Sequence, residues 1–332
     1  MLGTIGVGAV GALAGCLRGD GQTQSGNDEI QSTAQNPHLE PSSGGETRSV
    51  EAAISKLERN YRQLGRVPIV EDGVFVFETT RFIDVFEDDS GLSIAETPSE
   101  IFRDDSKPDR LDSTAKGFAA AADLSVWLFN QRLLLFDTIR SSRRFVQSYD
   151  EGYERPIEHL QNGLQALRTV PENGERIDVS LSHVREEQFS IEGYDLDTVS
   201  PANEMVQKIA MWARPAYEGL SHTLRGFQLL EAAERIGDPH APFPYTEREY
   251  ERVAAEFRTA EASFTHAHGR GRRLAHLSET VESHRCAAST LREGFEMAVV
   301  GTQKLNAGQL TEAERIATEV EERFVRATLR CS

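Results

Sequence analysis

The chain has 332 residues and a formal net charge of −17, with 53 acidic residues against 36 basic ones. This length is sufficient for one large domain or two modest domains. The acidic excess argues against a nucleic-acid partner, because phosphate binding needs basic patches. It also argues against direct docking on anionic lipid, so contact with a membrane would need a separate anchor.

The N-terminus contains a short apolar stretch that ends at a cysteine. Residues 5–13 are small and apolar, and the stretch closes with Leu13-Ala14-Gly15-Cys16. It is shorter than the roughly 20 apolar residues of a membrane-spanning helix, which is typical of the apolar core of a secretory signal. The four residues from Leu13 to Cys16 resemble the lipobox of prokaryotic membrane lipoproteins. That resemblance implies cleavage before Cys16, attachment of lipid to its thiol, and a location on the extracytoplasmic face of the cell membrane.

Residues 1–15 are therefore predicted to be a signal peptide. Its first basic residue, Arg18, comes only after the cysteine, so we expect the true start to lie upstream. The Gly- and Ala-rich apolar core is similar to those of twin-arginine signals, which implies an Arg-Arg pair there. Residues 16–47 are rich in Gly, Ser, Gln, Asn and Thr, a composition that predicts a disordered, lipid-anchored tether.

Lysine is rare in the chain. Only five of the 36 basic residues are lysines, namely Lys56, Lys107, Lys116, Lys208 and Lys304. An acidic, lysine-poor composition resembles that of proteins from halophilic archaea. Self-repulsion between the excess acidic groups keeps such chains soluble where salt screens their charges.

The remaining residues, 48–332, are predicted to form an all-α domain, a multi-helix bundle of long antiparallel helices with two short extended or hairpin-like insertions. Apolar periodicity predicts the helices in chain order at 49–64, 80–88, 113–148, 154–170, 201–236, 246–266, 274–305 and 310–327. The two insertions are expected at 66–78 and 189–198. A proline-rich break at 237–245 divides the domain into two possible halves, 48–236 and 246–332.

Three local signals support this assignment. Thr246-Glu247-Arg248-Glu249 has the pattern of a capping box and predicts a helix start. From Leu274 to Leu305 apolar residues recur at alternating steps of three and four, a heptad seam that includes His284. Residues 307–313 resemble the turn of tetratricopeptide-like helix pairs, and this resemblance covers one hairpin only.

If Cys16 carries lipid, Cys286 and Cys331 are the two cysteines that remain to form a disulfide. Their midpoint falls at the Gly308 turn, so an antiparallel hairpin would place them at the same height and favour a disulfide. Because Cys286 lies off the heptad seam, two free thiols remain the alternative.

His266, His268, His276 and His284 form the only histidine cluster. The spacing of His266 and His268 would allow chelation, but no H-E-x-x-H or C-x-x-C pattern accompanies them. We therefore predict one core histidine and three surface histidines, with no metal and no cofactor.

Arginines precede the seam helix at Arg270, Arg272 and Arg273. Together with exposed helix N–H groups they would hold a phosphate or sulfate, and the alternative is a charged loop between helices.

No nucleophile elbow, P-loop, dinucleotide fingerprint or EF-hand loop is present in the sequence. This favours a non-enzymatic helical module that binds an unknown envelope protein, and such a module predicts a large exposed apolar patch. The first alternative is a receptor for a small molecule or ion, with its ligand near Phe75, Phe77 and Tyr194 in a concave pocket. The second alternative is a metal-dependent helical enzyme that uses the histidine cluster.

Overall fold

A computed structural model describes residues 50–66, 69–71, 74–75, 113–148, 152–235, 242–271 and 275–331. Within these ranges the chain forms seven α-helices and one two-stranded hairpin, which confirms the all-α prediction. The elements are α1 (Val50–Gly65), β1 (Val70–Glu71), β2 (Val74–Phe75), α2 (Ser113–Gln147), α3 (Glu154–Glu186), α4 (Val199–Ala232), α5 (Glu247–Gly271), α6 (Ala275–Asn306) and α7 (Leu310–Arg330). The predicted signal peptide, the tether and the helix at 80–88 lie outside the described residues.

From α2 onward each helix packs against the next one in sequence, and α1 packs on α2. The buried side chains form three clusters along the bundle. One of these clusters joins Leu160 and Leu220 to Ala260 and Phe264. The two halves suggested by the proline-rich break therefore share a core.

The two predicted insertions have different structures. The first is an antiparallel hairpin in which Val70 pairs with Phe75 and Glu71 with Val74. The second has no strand within the described residues. It turns at Gly193, whose φ is +74°, and continues into a short 3-10 helix at Leu196–Thr198 before α4 begins.

Helix α3 is longer than its predicted range of 154–170 and continues through Pro171 to Glu186. Its buried face extends through Ile177 and Val184, and that burial outweighs the loss of one backbone donor at the proline. The helix ends at Glu186, and Gln188 just beyond it has a φ of 50°, while the N–H of Phe189 donates to the carbonyl of Val184 at 3.1 Å. This left-handed cap is usually glycine, so the sequence contained no recognisable stop signal.

Helix α4 is continuous through Pro215. Proline has no N–H, so the carbonyl of Met211 one turn earlier loses its helical donor. The guanidinium of Arg270, on α5, lies 3.4 Å from that carbonyl and donates to it. A contact between neighbouring helices thus replaces a hydrogen bond within the helix.

The capping box and the buried face of the seam helix are confirmed. The N–H of Thr246 donates to the Glu249 carboxylate at 2.7 Å, and the N–H of Glu249 donates to the Thr246 hydroxyl at 3.1 Å. His284 is buried, as the heptad seam of α6 predicts. The turn from α6 to α7 passes through Gly308, whose φ of +73° favours glycine.

Candidate functional site

A cleft of about 180 Å³ lies where the C-terminal end of α1, the middle of α2 and the start of α4 meet the 189–198 connection. Its described lining residues are Leu64, Gly65, Ile69, Leu128, Gln131, Arg132, Gly193, Tyr194, Asp195, Thr198, Val199 and Ala202. This is the region of Tyr194 in which the receptor alternative placed a ligand. The side chain of Phe75 and all of Phe77 lie outside the described residues.

The wall formed by the 189–198 connection is held by local contacts. The ring of Tyr194 packs edge-on against the ring of Tyr61 on α1, with 4.8 Å between centroids. The Tyr61 hydroxyl donates to the carbonyl of Ala121 at 2.8 Å, and burial raises the pKa of Tyr61 well above its usual value. The Asp195 carboxylate accepts from the N–H of Asp197 at 2.9 Å and caps the 3-10 helix.

Gln131 is buried in the cleft wall, and its amide belongs to a chain of hydrogen bonds. Its Nε2 donates to Oδ1 of Asn203 on α4 at 2.8 Å. The Nδ2 of Asn203 donates to the carbonyl of Gly174 at 2.9 Å and to the Asp178 carboxylate at 2.8 Å. A carbonyl and a carboxylate are acceptors only, so the Asn203 amide has one possible orientation, and this fixes the orientation of Gln131.

The consequence is an acceptor without a partner. Because Nε2 of Gln131 donates to Asn203, only its Oε1 remains, and this oxygen has no hydrogen-bond partner within the described part of the chain. Gln131 is only 1 % exposed, so that oxygen is removed from bulk water. Leaving a buried polar atom unpaired costs on the order of 1–3 kcal/mol, and such an atom in a native protein needs an explanation.

Arg132, the next residue of α2, is 4 % exposed and also lines the cleft. One N–H of its guanidinium donates to the carbonyl of Leu128 at 2.9 Å. A guanidinium presents five N–H donors, so it can serve several acceptors at once. The cleft wall therefore combines an amide oxygen, a cation and apolar side chains, which are groups suited to binding and orienting a molecule.

The sequence pattern alone does not point to Gln131 or Arg132. The polar run at 130–132 interrupts the apolar middle of α2. The available signal was the presence of Gln131 and Arg132 in the stretch from Leu124 to Phe136, whose other residues are nearly all apolar. Asn203, the hydrogen-bond partner of Gln131, is 72 positions away in the sequence, and helical periodicity does not reveal such a contact.

The cysteine pair is confirmed as a disulfide. Cys286 on α6 and Cys331 after α7 are bonded, and their Cα atoms are 5.5 Å apart, within the usual range for such bonds. The bond ties the C-terminus to α6, and the free-thiol alternative is not the one observed.

Of the four histidines of the predicted cluster, His266, His268 and His284 have described side chains, and these differ in burial. His266 is exposed, and the side chain of His276 lies outside the described residues. The Nδ1 of His268 is 3.6 Å from the carboxylate of Glu282. No group of three or more metal-ligating side chains occurs among the described residues.

The proposed anion site is only partly described. Arg270 is exposed and donates to the carbonyl of Met211, whereas Arg272 and Arg273 lie outside the described residues. The anion site stays a prediction. Cys16, the predicted lipid attachment point, also lies outside the described residues.

No protein-family model, curated protein or solved structure matches the chain. Among the described helices, none is both long enough and apolar enough to cross a membrane.

Proposed function

We propose that this chain is a lipid-anchored, extracytoplasmic, non-enzymatic helical protein that binds a small polar molecule in the cleft beside Gln131. The observation that carries the proposal is the unpaired Oε1 of Gln131 in the wall of that cleft. A few polar groups converging in a concave, partly apolar site is the usual arrangement of a ligand pocket. The missing hydrogen-bond partner is then supplied by the ligand.

The proposed location is supported by two features at opposite ends of the chain. The lipobox-like Leu13-Ala14-Gly15-Cys16 implies export and lipidation. The disulfide between Cys286 and Cys331 favours an oxidising compartment, because thiols are kept reduced in the cytosol. Both features agree with a protein held at the outer face of the cell membrane by its lipid.

The test is to purify the full chain from membranes under non-denaturing conditions, extract it with acid and identify released small molecules by mass spectrometry. We expect a stoichiometric small molecule from the wild type and none from Gln131→Met, which keeps the side-chain length and removes the amide. Gln161→Met is the matched control, because Gln161 is an exposed glutamine of α3. Equal small-molecule content in all three proteins, or none in any, would contradict the proposal.

The protein-interaction module remains a second candidate because of α7. Val325 and Leu329 are 47 % and 72 % exposed, and their spacing of four places them on one face of the helix. Exposed apolar side chains of this kind suit a protein contact. Capture of a stoichiometric envelope protein that is lost in Leu329→Glu and retained in Gln131→Met would favour this candidate over the receptor.

A further inference from the structure

We propose that a groove between α4 and α5 binds a small zwitterion, an amino acid with a free ammonium group and a free carboxylate. The groove has a volume of about 380 Å³, and its described lining residues are Arg225, Gln228, Leu229, Arg252, Ala255 and Glu256. None of these residues lines the cleft beside Gln131. The groove is therefore a second site, and the proposal goes beyond the proposed function.

Groups of both charges line this groove without pairing with one another. Arg225 and Arg252 form no ion pair or hydrogen bond within the described ranges, and the Glu256 carboxylate in the same lining reaches neither of them. The chain has 53 acidic residues, and nearby arginines such as Arg258 and Arg292 do pair with glutamates. Charges of opposite sign that face one groove across a gap define a site for a molecule that carries both charges.

Glu256 provides the contact for the ammonium group. Its Oε2 accepts from Nδ1 of His222 at 2.7 Å, since a carboxylate has no proton to donate. Its Oε1 makes no hydrogen bond within the described part of the chain and can accept from an ammonium group. The Glu256 side chain is only 26 % exposed, so its charge is less screened by salt than that of a fully exposed glutamate.

Arg225 provides the contact for the carboxylate. It is half-buried, and its planar guanidinium can donate two parallel hydrogen bonds to one carboxylate. Arg252 is exposed and adds a second positive charge at the rim. An anion without an ammonium group would be repelled by Glu256, and a cation without a carboxylate would be repelled by the two arginines. The groove therefore favours a zwitterion over either singly charged class.

The remaining lining residues suit an apolar side chain on the ligand. Leu229 is half-buried and Ala255 is exposed, so both present carbon atoms to the groove. The volume of about 380 Å³ lies within the range of roughly 300–1,000 Å³ that is usual for small-molecule sites. An amino acid with an aliphatic side chain, such as leucine, meets these conditions.

The test is isothermal titration of the full chain in high salt with three probes that share one side chain. L-Leucine carries both charges, N-acetylleucine lacks the ammonium group, and leucinamide lacks the carboxylate. We expect leucine to bind at least about tenfold more tightly than either analogue, because each analogue loses one contact and keeps one repulsion. Equal affinities, tighter binding of either analogue, or no binding of any of the three would overturn the proposal.

The variants assign each preference to one side chain. Arg225→Gln should lose the preference for leucine over leucinamide. Glu256→Gln, which keeps an acceptor for His222, should lose the preference for leucine over N-acetylleucine. Arg168→Gln is the matched control, because Arg168 is an exposed arginine of α3, and it should keep both wild-type ratios. Leucine binding that is lost in Gln131→Met and unchanged in both groove variants would place the ligand in the cleft and overturn the proposal.

Discussion

Gly219 of α4 lies directly against the ring of Phe264 of α5, where a Cβ atom built on the glycine would lie 2.7 Å from Cε1 of the ring. Gly226 has the same relation to Phe257, with a closest distance of 2.8 Å. Gly219 and Gly226 are seven residues apart, and so are Phe257 and Phe264. The earlier glycine contacts the later phenylalanine, and the later glycine contacts the earlier one. The pattern is that of an antiparallel helix pair in which aromatic side chains fill spaces left by glycine.

This contact predicts that Gly219→Ala destabilises the bundle. Phe264 is fully buried, so its ring cannot move away from an added methyl group without disturbing other core contacts. We expect the free energy of unfolding to fall by about 1–3 kcal/mol, measured by urea denaturation in high salt. Gly269→Ala is the control, because a Cβ there meets nothing within 4 Å and should stabilise the helix slightly. Equal stability of the Gly219→Ala variant and the wild type would contradict the packing described.

Buried His284 predicts a specific dependence of stability on pH. Its ring stacks on Phe264 with 5.4 Å between centroids, its Nε2 has no hydrogen-bond partner among the described residues, and burial lowers its pKa from 6.5 to about 4. Below pH 6.5 the unfolded chain therefore binds a proton that the folded chain does not. Because of His284, the free energy of unfolding should fall by about 3 kcal/mol as the pH drops from 6.5 to 4. Above pH 6.5, His284 should add nothing to the pH dependence of stability.

The measurement is the free energy of unfolding of wild type and His284→Leu at several pH values. The difference between the two proteins should vary with pH only over the interval from 6.5 to 4. His266→Leu, which replaces an exposed histidine, should follow the wild type. A parallel pH profile for wild type and His284→Leu would show that His284 is not buried in the neutral form.

The disulfide predicts a loss of stability on reduction. Cys286 and Cys331 are separated by 45 positions, and closing a loop of that length stabilises a protein by about 4 kcal/mol in the chain-entropy model. Thermal unfolding with and without reductant should show a clearly lower Tm for the reduced protein. Cys331→Ser should match the reduced wild type and should no longer respond to reductant. Alkylation of both cysteines in the non-reduced wild type would contradict the bond.

The lipobox-like sequence that ends at Cys16 predicts that anchoring depends on one thiol. Cys16→Ser removes the only proposed lipid attachment point, and the acidic surface offers anionic lipid little attraction. We expect the variant to move from the membrane fraction to the soluble fraction and to lose its partition into detergent. Cys331→Ser, which alters a different cysteine, should stay with the membrane. Retention of Cys16→Ser in the membrane fraction would refute the anchor.

The sequence predicted the parts of the fold that depend on neighbouring residues. The capping box at Thr246 and Glu249 and the buried position of His284 both follow from spacing along one helix. The end of α3 at Glu186 was missed because the left-handed residue that follows it, Gln188, is not the usual glycine. The seven-residue spacing of Gly219 and Gly226, matched by Phe257 and Phe264, was visible in the sequence, but nothing local indicated that the two pairs meet.

The candidate site was predicted only in outline. The receptor alternative identified the neighbourhood of Tyr194, because aromatic residues in an irregular segment drew attention there. The decisive feature is the Oε1 of Gln131, which stays unpaired because Nε2 donates to Asn203. To predict it, one must know that three helices from distant parts of the sequence pack together. Hydrogen-bond satisfaction is a property of the packed structure, so a single sequence does not reveal it.

Amide hydrogen exchange of the full chain, first freed of bound small molecules by dialysis and then measured with and without a small-molecule extract of the surrounding medium, tests the central claim most directly. If a small polar molecule binds in the cleft, exchange should slow in residues 193–199 and in the middle of α2 around Gln131, and Gln131→Met should abolish the change. Slower exchange confined to α7, or no change anywhere with an extract that supports growth, would contradict the account.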